Sequence, residues 1–160
     1  MKIEPQPEHA WLQKLVGAWD YEVECIMGPG EPASRTTGSE VVRSLGGLWV
    51  IAEGQGEMPG GGLATTIMTL GYDPRRKAFV GTWIGSMMTH LWHYRGALDA
   101  DGKVLTLDAE GPSFAAGGEA LARYQDVIEL KSEAHRMLSS RELGDDGAWR
   151  QFMTAHYRRK

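Results

Sequence analysis

The feature that most constrains the fold is a run of strictly alternating residues that starts at Gly17. Its apolar members are Trp19, Tyr21, Val23 and Cys25, and each residue between them is acidic. Successive side chains of an extended strand point to opposite faces, so a period of two buries one face and leaves the other in water. The run therefore predicts a half-buried β-strand.

Turn-forming residues divide the rest of the chain into further extended runs. Clusters of Gly, Pro and Asp separate them, with a break at residues 28–32, a long turn at 59–62 and a loose loop at 111–118. We place strands at residues 17–25, 36–45, 48–57, 65–72, 78–87, 89–98, 104–109, 124–131, 137–143 and 149–158. Before them, apolar residues recur at helical spacing between Trp11 and Val16. The pattern predicts a tail over residues 1–7, a short helix over 8–16 and about ten strands.

Short connections without helices between the strands predict an antiparallel up-and-down meander. An open sheet of this size would expose two strand edges, whereas pairing the first strand with the last removes both. We therefore predict an all-β fold, a closed antiparallel barrel of about ten strands. The barrel spans residues 17–159, and residues 1–160 form one domain.

Composition narrows the classes of partner. The net charge is −4 and the basic residues are scattered, which argues against nucleic acid. No apolar run is long enough for a signal peptide or a membrane span, and the single Cys25 cannot form an intramolecular disulfide. We expect a cytoplasmic protein without membrane contact. A homo-oligomer in which the exposed flank at residues 60–63 pairs with another chain is compatible with the sequence.

Six segments distributed along the chain resemble a bacterial domain-of-unknown-function family, number fifteen-seventy-nine. They are Leu15-Val16-Gly17-Ala18-Trp19, Leu45-Gly46-Gly47-Leu48-Trp49-Val50, Leu70-Gly71-Tyr72-Asp73, Val80-Gly81-Thr82-Trp83, Tyr124-Gln125-Asp126 and Ala155-His156-Tyr157-Arg158-Arg159. The resemblance implies a lipocalin-like barrel and brings no established activity or cofactor.

A short helix followed by Gly17-Ala18-Trp19 also resembles the start of the lipocalin and fatty-acid-binding (calycin) barrels. In those families the Trp plugs the closed end of the barrel beneath the helix. The resemblance implies that Gly17 and Trp19 form a structural plug, and that a ligand enters at the other end.

A more distant resemblance is to the nitrobindin group of ten-stranded barrels, which bind haem through a His on the last strand. Those proteins end in His-x-x-x-Tyr followed by a basic residue, and the position four before Tyr157 is Met153 in this chain. His156 is adjacent to Tyr157, so on a strand it points to the opposite face. Haem ligation would instead need another inward His, such as His90.

His90 and Arg141 are the polar residues whose neighbours suggest a binding role. His90 shares a strand face with Trp92 and Tyr94, so it lies either in an aromatic pocket or as a core His bonded to a backbone carbonyl. His93 lies three positions away on the opposite face, which argues against a metal site. Arg141 is interior only if its apolar face is the inner one, where it would hold a carboxylate. Otherwise it is solvated or ion-paired with Glu53 or Glu129.

The abundant Met and Trp residues would give the cavity an adaptable lining. The candidate cavity residues are Trp49, Glu53, Trp83, His90, Trp92, Arg141, Met153 and Tyr157. No catalytic motif is recognisable, so we expect a binder of a small, mostly apolar molecule rather than an enzyme. The alternatives are a haem-binding protein, a lyase or isomerase in which His90 and Glu53 move protons, and a solid barrel that acts as an interaction module.

Overall fold

A computed structural model describes residues 1–26, 28, 30–114 and 117–160. The turns predicted at 28–32 and 111–118 therefore lie partly outside the described residues. One helix, α1, spans Pro7–Gln13. The strands are β1 (Gly17–Cys25), β2 (Ser34–Leu45), β3 (Trp49–Glu57), β4 (Leu63–Asp73), β5 (Ala78–Gly85), β6 (Trp92–Leu98), β7 (Val104–Pro112), β8 (Leu121–Ser132), β9 (His135–Leu143) and β10 (Trp149–Arg159).

The ten strands form a closed antiparallel barrel in which each strand pairs with its neighbours in sequence. β1 closes the ring against β10, with Trp19 opposite Arg159 and Cys25 opposite Met153. The all-β, up-and-down closed barrel predicted from the alternation and the short turns is confirmed. In the described part of the chain, no helix has the length and apolar character needed to cross a membrane.

Several element boundaries differ from the prediction by one to three residues, and three of these differences have a local cause. The helix ends at Gln13 instead of residue 16, because the next amides bond three residues back, as in Leu15 N to Leu12 O at 3.0 Å. β5 stops at Gly85 because the chain turns there, with Met88 N bonded to Gly85 O at 3.2 Å. β6 consequently begins at Trp92 instead of residue 89.

The register fixes which side chains point into the barrel, because directly opposite residues of paired strands share a face. Trp19 is buried and lies opposite Glu40, so the inner face can be followed around the whole ring from this pair. The core lies mainly at the end where β1 starts. Its fully buried members include Val50, Leu70, Phe79, Leu105, Leu107 and Ile128.

Helix α1 covers the end of the barrel at which β1 starts, which we call the helix end. The Nε1–H of Trp11 donates to the Gly102 carbonyl in the β6–β7 turn at 2.7 Å, and its ring meets Phe79 edge-on. His9 Nε2 lies 3.0 Å from the carbonyl oxygen of Tyr72 at the end of β4. These contacts tie the helix across the barrel opening.

Trp19 lies beneath the helix with only 1% of its surface exposed. Its Nε1–H donates to the Leu15 carbonyl at 2.9 Å, and the guanidinium carbons of Arg136 and Arg159 lie 4.7 and 4.2 Å from a ring centroid. Arg159 also donates to the carbonyls of Lys14, Val16 and Glu133. The end of β10 is thereby bound to the backbone that enters β1.

Gly17 makes this junction possible and provides a stability test. Its φ of +141° lies where L side chains are strained, and a Cβ would collide with the Arg159 guanidinium. We expect Gly17→Ala to lower the free energy of unfolding by about 1–3 kcal/mol, measured by urea denaturation. Gly46→Ala is the control, because Gly46 has a φ of +66° and no atom within 4 Å of the added Cβ. An equal loss in both variants would refute the role of the Arg159 contact.

Candidate functional site

The structure separates the predicted cavity residues into two faces. Trp83, Trp92, Met153 and Tyr157 point into the barrel, where Trp92 and Tyr157 are buried and the other two are partly buried. The side chains of Trp49, Glu53 and Arg141 point outward. The inner face therefore brings together only part of the predicted set.

The expectation of an interior Arg141 is corrected. Arg141 lies opposite Gln125 on the outer wall, and its Nε donates to the Gln125 side-chain oxygen at 2.8 Å. Its guanidinium carbon also lies 5.6 Å from a ring centroid of Trp149. The inner face of β9 is the other one, which carries Arg136, Leu138, Ser140 and Glu142.

Glu53 and Trp49 both lie on the outer face of β3. Glu53 is exposed on β3, whereas His90 lies just before β6. The strands β4 and β5 separate β3 from β6 in the barrel. The structure thus does not bring together the pair suggested for proton transfer. The Trp49 ring packs over Gly71 of the neighbouring β4, outside the barrel.

His90 lies just before β6 at the rim, with its ring edge-on to Trp92 at 4.9 Å between centroids. Its Nε2 lies 2.9 Å from the Glu110 carbonyl, which accepts a hydrogen bond from it, so a haem iron would have to use Nδ1. His156 points away from the buried Tyr157, as the alternation predicts. Its Nδ1 lies 3.0 Å from Nε2 of His135 on the outer wall.

An ion pair inside the barrel is a feature that sequence reasoning missed. The guanidinium of Arg136 (4% exposed) donates to the Glu40 carboxylate on β2 and stacks on Tyr157, with its carbon 3.9 Å from the ring centroid. Arg136 Nε is buried and has no hydrogen-bond partner among the described residues. Burial is the main cause of the raised pKa of Tyr157, so its phenol stays neutral.

A second polar group lies further along the barrel, towards the opposite end. The hydroxyls of Tyr94 and Ser140 both donate to the Asp126 carboxylate, the latter at 2.5 Å. Burial raises the pKa of Asp126, and the two hydrogen bonds only partly oppose this shift. Asp126 is therefore a carboxyl group held in the interior without a cationic partner among the described residues.

The interior near the ion pair is almost filled. A cavity of about 40 Å³ lies between Glu40, Arg136 and Tyr157 and the apolar side chains of β3 and β4. This volume suits one or two water molecules and is far below the ~300 Å³ of a typical ligand site. The helix-end half of the barrel is therefore core rather than a binding chamber.

A larger pocket of about 480 Å³ opens at the end opposite the helix, which we call the mouth. It lies between the β1–β2 connection, the β7–β8 connection and the β9–β10 turn. Its described lining residues are Cys25, Ile26, Gly28, Gly30, Phe114, Glu142, Gly144, Arg150, Gln151 and Phe152. We refer to this space as the mouth pocket.

Aromatic rings support one side of the mouth pocket. Phe114, Phe152 and Tyr124 contact one another edge-on, with each pair of centroids 6.1 Å apart. Tyr124 also meets the Trp92 ring at 5.0 Å, and its hydroxyl donates to the Pro112 carbonyl at 2.5 Å. Burial and the nearby Glu142 raise the pKa of Tyr124 to about 12, so the phenol stays neutral at physiological pH.

The outer wall carries a wider groove of about 980 Å³ across β10, β1, β2 and β3. Charged side chains line it, including Glu22, Arg158 and Lys160, and these are well exposed to water. Such a surface lacks the apolar enclosure that holds small ligands. No cluster of three or more potential metal ligands occurs within the described ranges.

A ten-stranded barrel with one end closed by a helix and a pocket at the other defines the structural class of the chain. Residues 4–159 match the family described as "Protein of unknown function (DUF1579)". Because the match covers nearly the whole sequence, the chain belongs to this family. No curated protein matches it.

Solved structures of other proteins share the fold. Rv2717c from M. tuberculosis aligns with a TM-score of 0.62 at 13% identity, covering 98% of this chain and 99% of that one. The S-type phycobiliprotein lyase CPES from Guillardia theta gives 0.61 at 11% identity, covering 98% of each chain. EF1p2_mFAP2b bound to DFHBI gives 0.52 at 15% identity, covering 96% and 99%. At these identities the similarity shows the fold alone.

The interior ion pair gives a prediction about stability. Arg136→Met should lower the free energy of unfolding by about 3–5 kcal/mol, because it leaves the Glu40 carboxylate inside without its partner. Adding Glu40→Gln removes the charge and should recover part of that loss in urea denaturation. Equal destabilisation of the single and double variants would contradict this explanation.

Asp126 gives a prediction about pH. The pKa of Asp126 is raised in the folded state, so the folded protein favours the protonated carboxyl group. The stability that this protonated group contributes is complete below the ordinary Asp pKa near ~4, and it is lost as the pH rises through the raised pKa. Asparagine cannot ionise, so Asp126→Asn should not lose this stability. The free energy of unfolding of the variant minus that of the unsubstituted protein should therefore increase between pH 4 and 7. Asp108→Asn, on the outer wall, is the control. A difference that stays constant with pH would show that Asp126 does not titrate in this way.

Proposed function

We propose that this protein binds a small, mostly apolar molecule in the mouth pocket. The observation that carries the proposal is the apolar space of about 480 Å³ at the open end of a barrel whose other end is closed by α1. Sites for small ligands in proteins usually measure ~300–1,000 Å³ and place a few polar groups among apolar walls. The mouth pocket matches both criteria.

The position of the pocket supports a binding role. Its walls combine three connections between strands with the ends of β1, β9 and β10. Connections tolerate variation while the strands beneath them stay rigid. A lipocalin-like mode of binding, with entry opposite the plugged end, is consistent with this layout.

Two further observations favour binding over the alternatives. The His90–Glu53 pair on which the lyase or isomerase hypothesis depends is not assembled, and a solid barrel would lack a pocket of this volume. One protein of similar fold, EF1p2_mFAP2b, is bound to DFHBI, so this fold can hold a small molecule.

A titration with the neutral dye Nile red tests the proposal. We expect a saturable rise in fluorescence and, in Phe114→Asp, binding about tenfold weaker or more, because the substitution places a charge in the apolar wall. Phe114 is 49% exposed, so the substitution should leave the fold intact.

Leu45→Asp is the matched control. Leu45 is 52% exposed and lies at the helix end of the barrel, far from the mouth. The affinity of the Leu45→Asp variant for the dye should equal that of the unsubstituted protein. Absence of dye binding, or equal weakening in both variants, would reject the mouth pocket as the binding site.

A further inference from the structure

We propose that the mouth pocket selects a ligand with a positively charged or strongly hydrogen-bond-donating group, which Glu142 receives, and discriminates against carboxylates. This inference rests on the proposed function and specifies the class of ligand. It reverses the expectation of an interior arginine that holds a carboxylate, since Arg141 lies on the outer wall.

The charges of the inner face support the proposal. Three carboxyl groups point inward along the barrel, those of Glu40, Asp126 and Glu142. Two inward guanidinium groups lie between the helix end and the mouth along the described strands: Arg136, which is paired with Glu40, and Arg150, which lies opposite Glu142 and contacts Asp146. Arg159, at the helix end, donates to backbone carbonyls instead. The remaining interior groups are therefore acidic.

Glu142 is the acidic group that a ligand in the mouth pocket would meet. It lies on the inner face of β9, opposite Tyr124, and its side chain lines the pocket. Its Oε1 accepts a hydrogen bond from the hydroxyl of Ser113 at 2.6 Å. Ser113 is itself buried and directly follows β7, so the carboxylate is held in a fixed position beside the pocket.

Arg150 is the other charged residue among the described lining, and it lies directly opposite Glu142 on β10. Its guanidinium is paired with Asp146 instead of Glu142. Both terminal nitrogens of its guanidinium contact the Asp146 carboxylate in the β9–β10 turn. The pair is exposed at the rim, where water also solvates it. The uncompensated charge that faces the apolar space is therefore the negative charge of Glu142.

The carboxylate of Glu142 favours a ligand that carries a positive charge. An ammonium group placed beside Glu142 gains a charge-assisted hydrogen bond, and the surrounding apolar wall strengthens it by lowering the effective dielectric constant. The rings of Phe114 and Phe152 offer additional surface that attracts a cation. A carboxylate in the same position would be repelled and desolvated without a donor to receive it.

Three probes with the same apolar body test the charge preference: 2-naphthylmethylammonium, 2-naphthylmethanol and 2-naphthylacetate. Their affinities are compared by calorimetry for the unsubstituted protein, for Glu142→Gln and for Glu110→Gln. Glu110 is exposed on the outer face of β7, so this control removes an equal charge outside the pocket.

In the unsubstituted protein and in Glu110→Gln, we expect the ammonium to bind about tenfold or more tightly than the alcohol, and the acetate most weakly. In Glu142→Gln, the ammonium and the alcohol should bind alike, while the affinity for the alcohol stays unchanged. Glutamine keeps an acceptor for Ser113, so the pocket should retain its shape.

Other results would overturn either the selection by Glu142 or the proposed function itself. Equal affinity for all three probes, or a preference for the ammonium that survives in Glu142→Gln, would overturn the selection by Glu142 while leaving the mouth pocket as a binding site. Tighter binding of the acetate would overturn it in the same way. Failure of every probe to bind, together with no binding of Nile red, would reject the proposed function itself.

Discussion

The packing of Trp19 between helix α1 and two guanidinium groups is the interaction on which the barrel depends. Arg136 approaches the ring from β9, and Arg159 approaches it from β10. Arg159 also donates to the carbonyls of Lys14 and Val16, in the segment that joins the helix to β1. The seam between β1 and β10 and the closure of one barrel end are therefore a single structural unit. The other end carries the mouth pocket.

The sequence predicts the fold well because its alternation reports burial directly. In β1, the residues that alternate with Trp19 are acidic and face water, so the predicted inner face is the correct one. The number of strands follows from turns rich in Gly and Asp, and the structure confirms ten. The extent of the helix is less predictable, because Leu15 continues the apolar spacing after the helical hydrogen bonds have changed to a tighter pattern.

The candidate site is less predictable because part of the barrel interior is polar. The outer face of β9 carries Met137 and Leu143, whereas the inner face carries Arg136 and Glu142, so hydrophobicity favours the wrong face. The signal that could have found the inner face lies in β8. There Tyr124, Ile128 and Leu130 share a face with Asp126, while three of the four residues on the other face (125, 127, 129 and 131) are polar. Pairing β9 with this strand would have placed Glu142 inside.

Closure of the ring by β1 and β10 also has a consequence for folding, because nearly the whole barrel lies between them in sequence. During synthesis, β1 can pair with β2 soon after it emerges, but its other edge has no partner until β10 is made. An unpaired strand edge can recruit another chain, and closing contacts between distant residues form slowly. The outward carboxylates of Asp20, Glu22 and Glu24 place like charges along the edge of β1 that is unpaired until β10 is made. They therefore protect the nascent protein against association with its own copies.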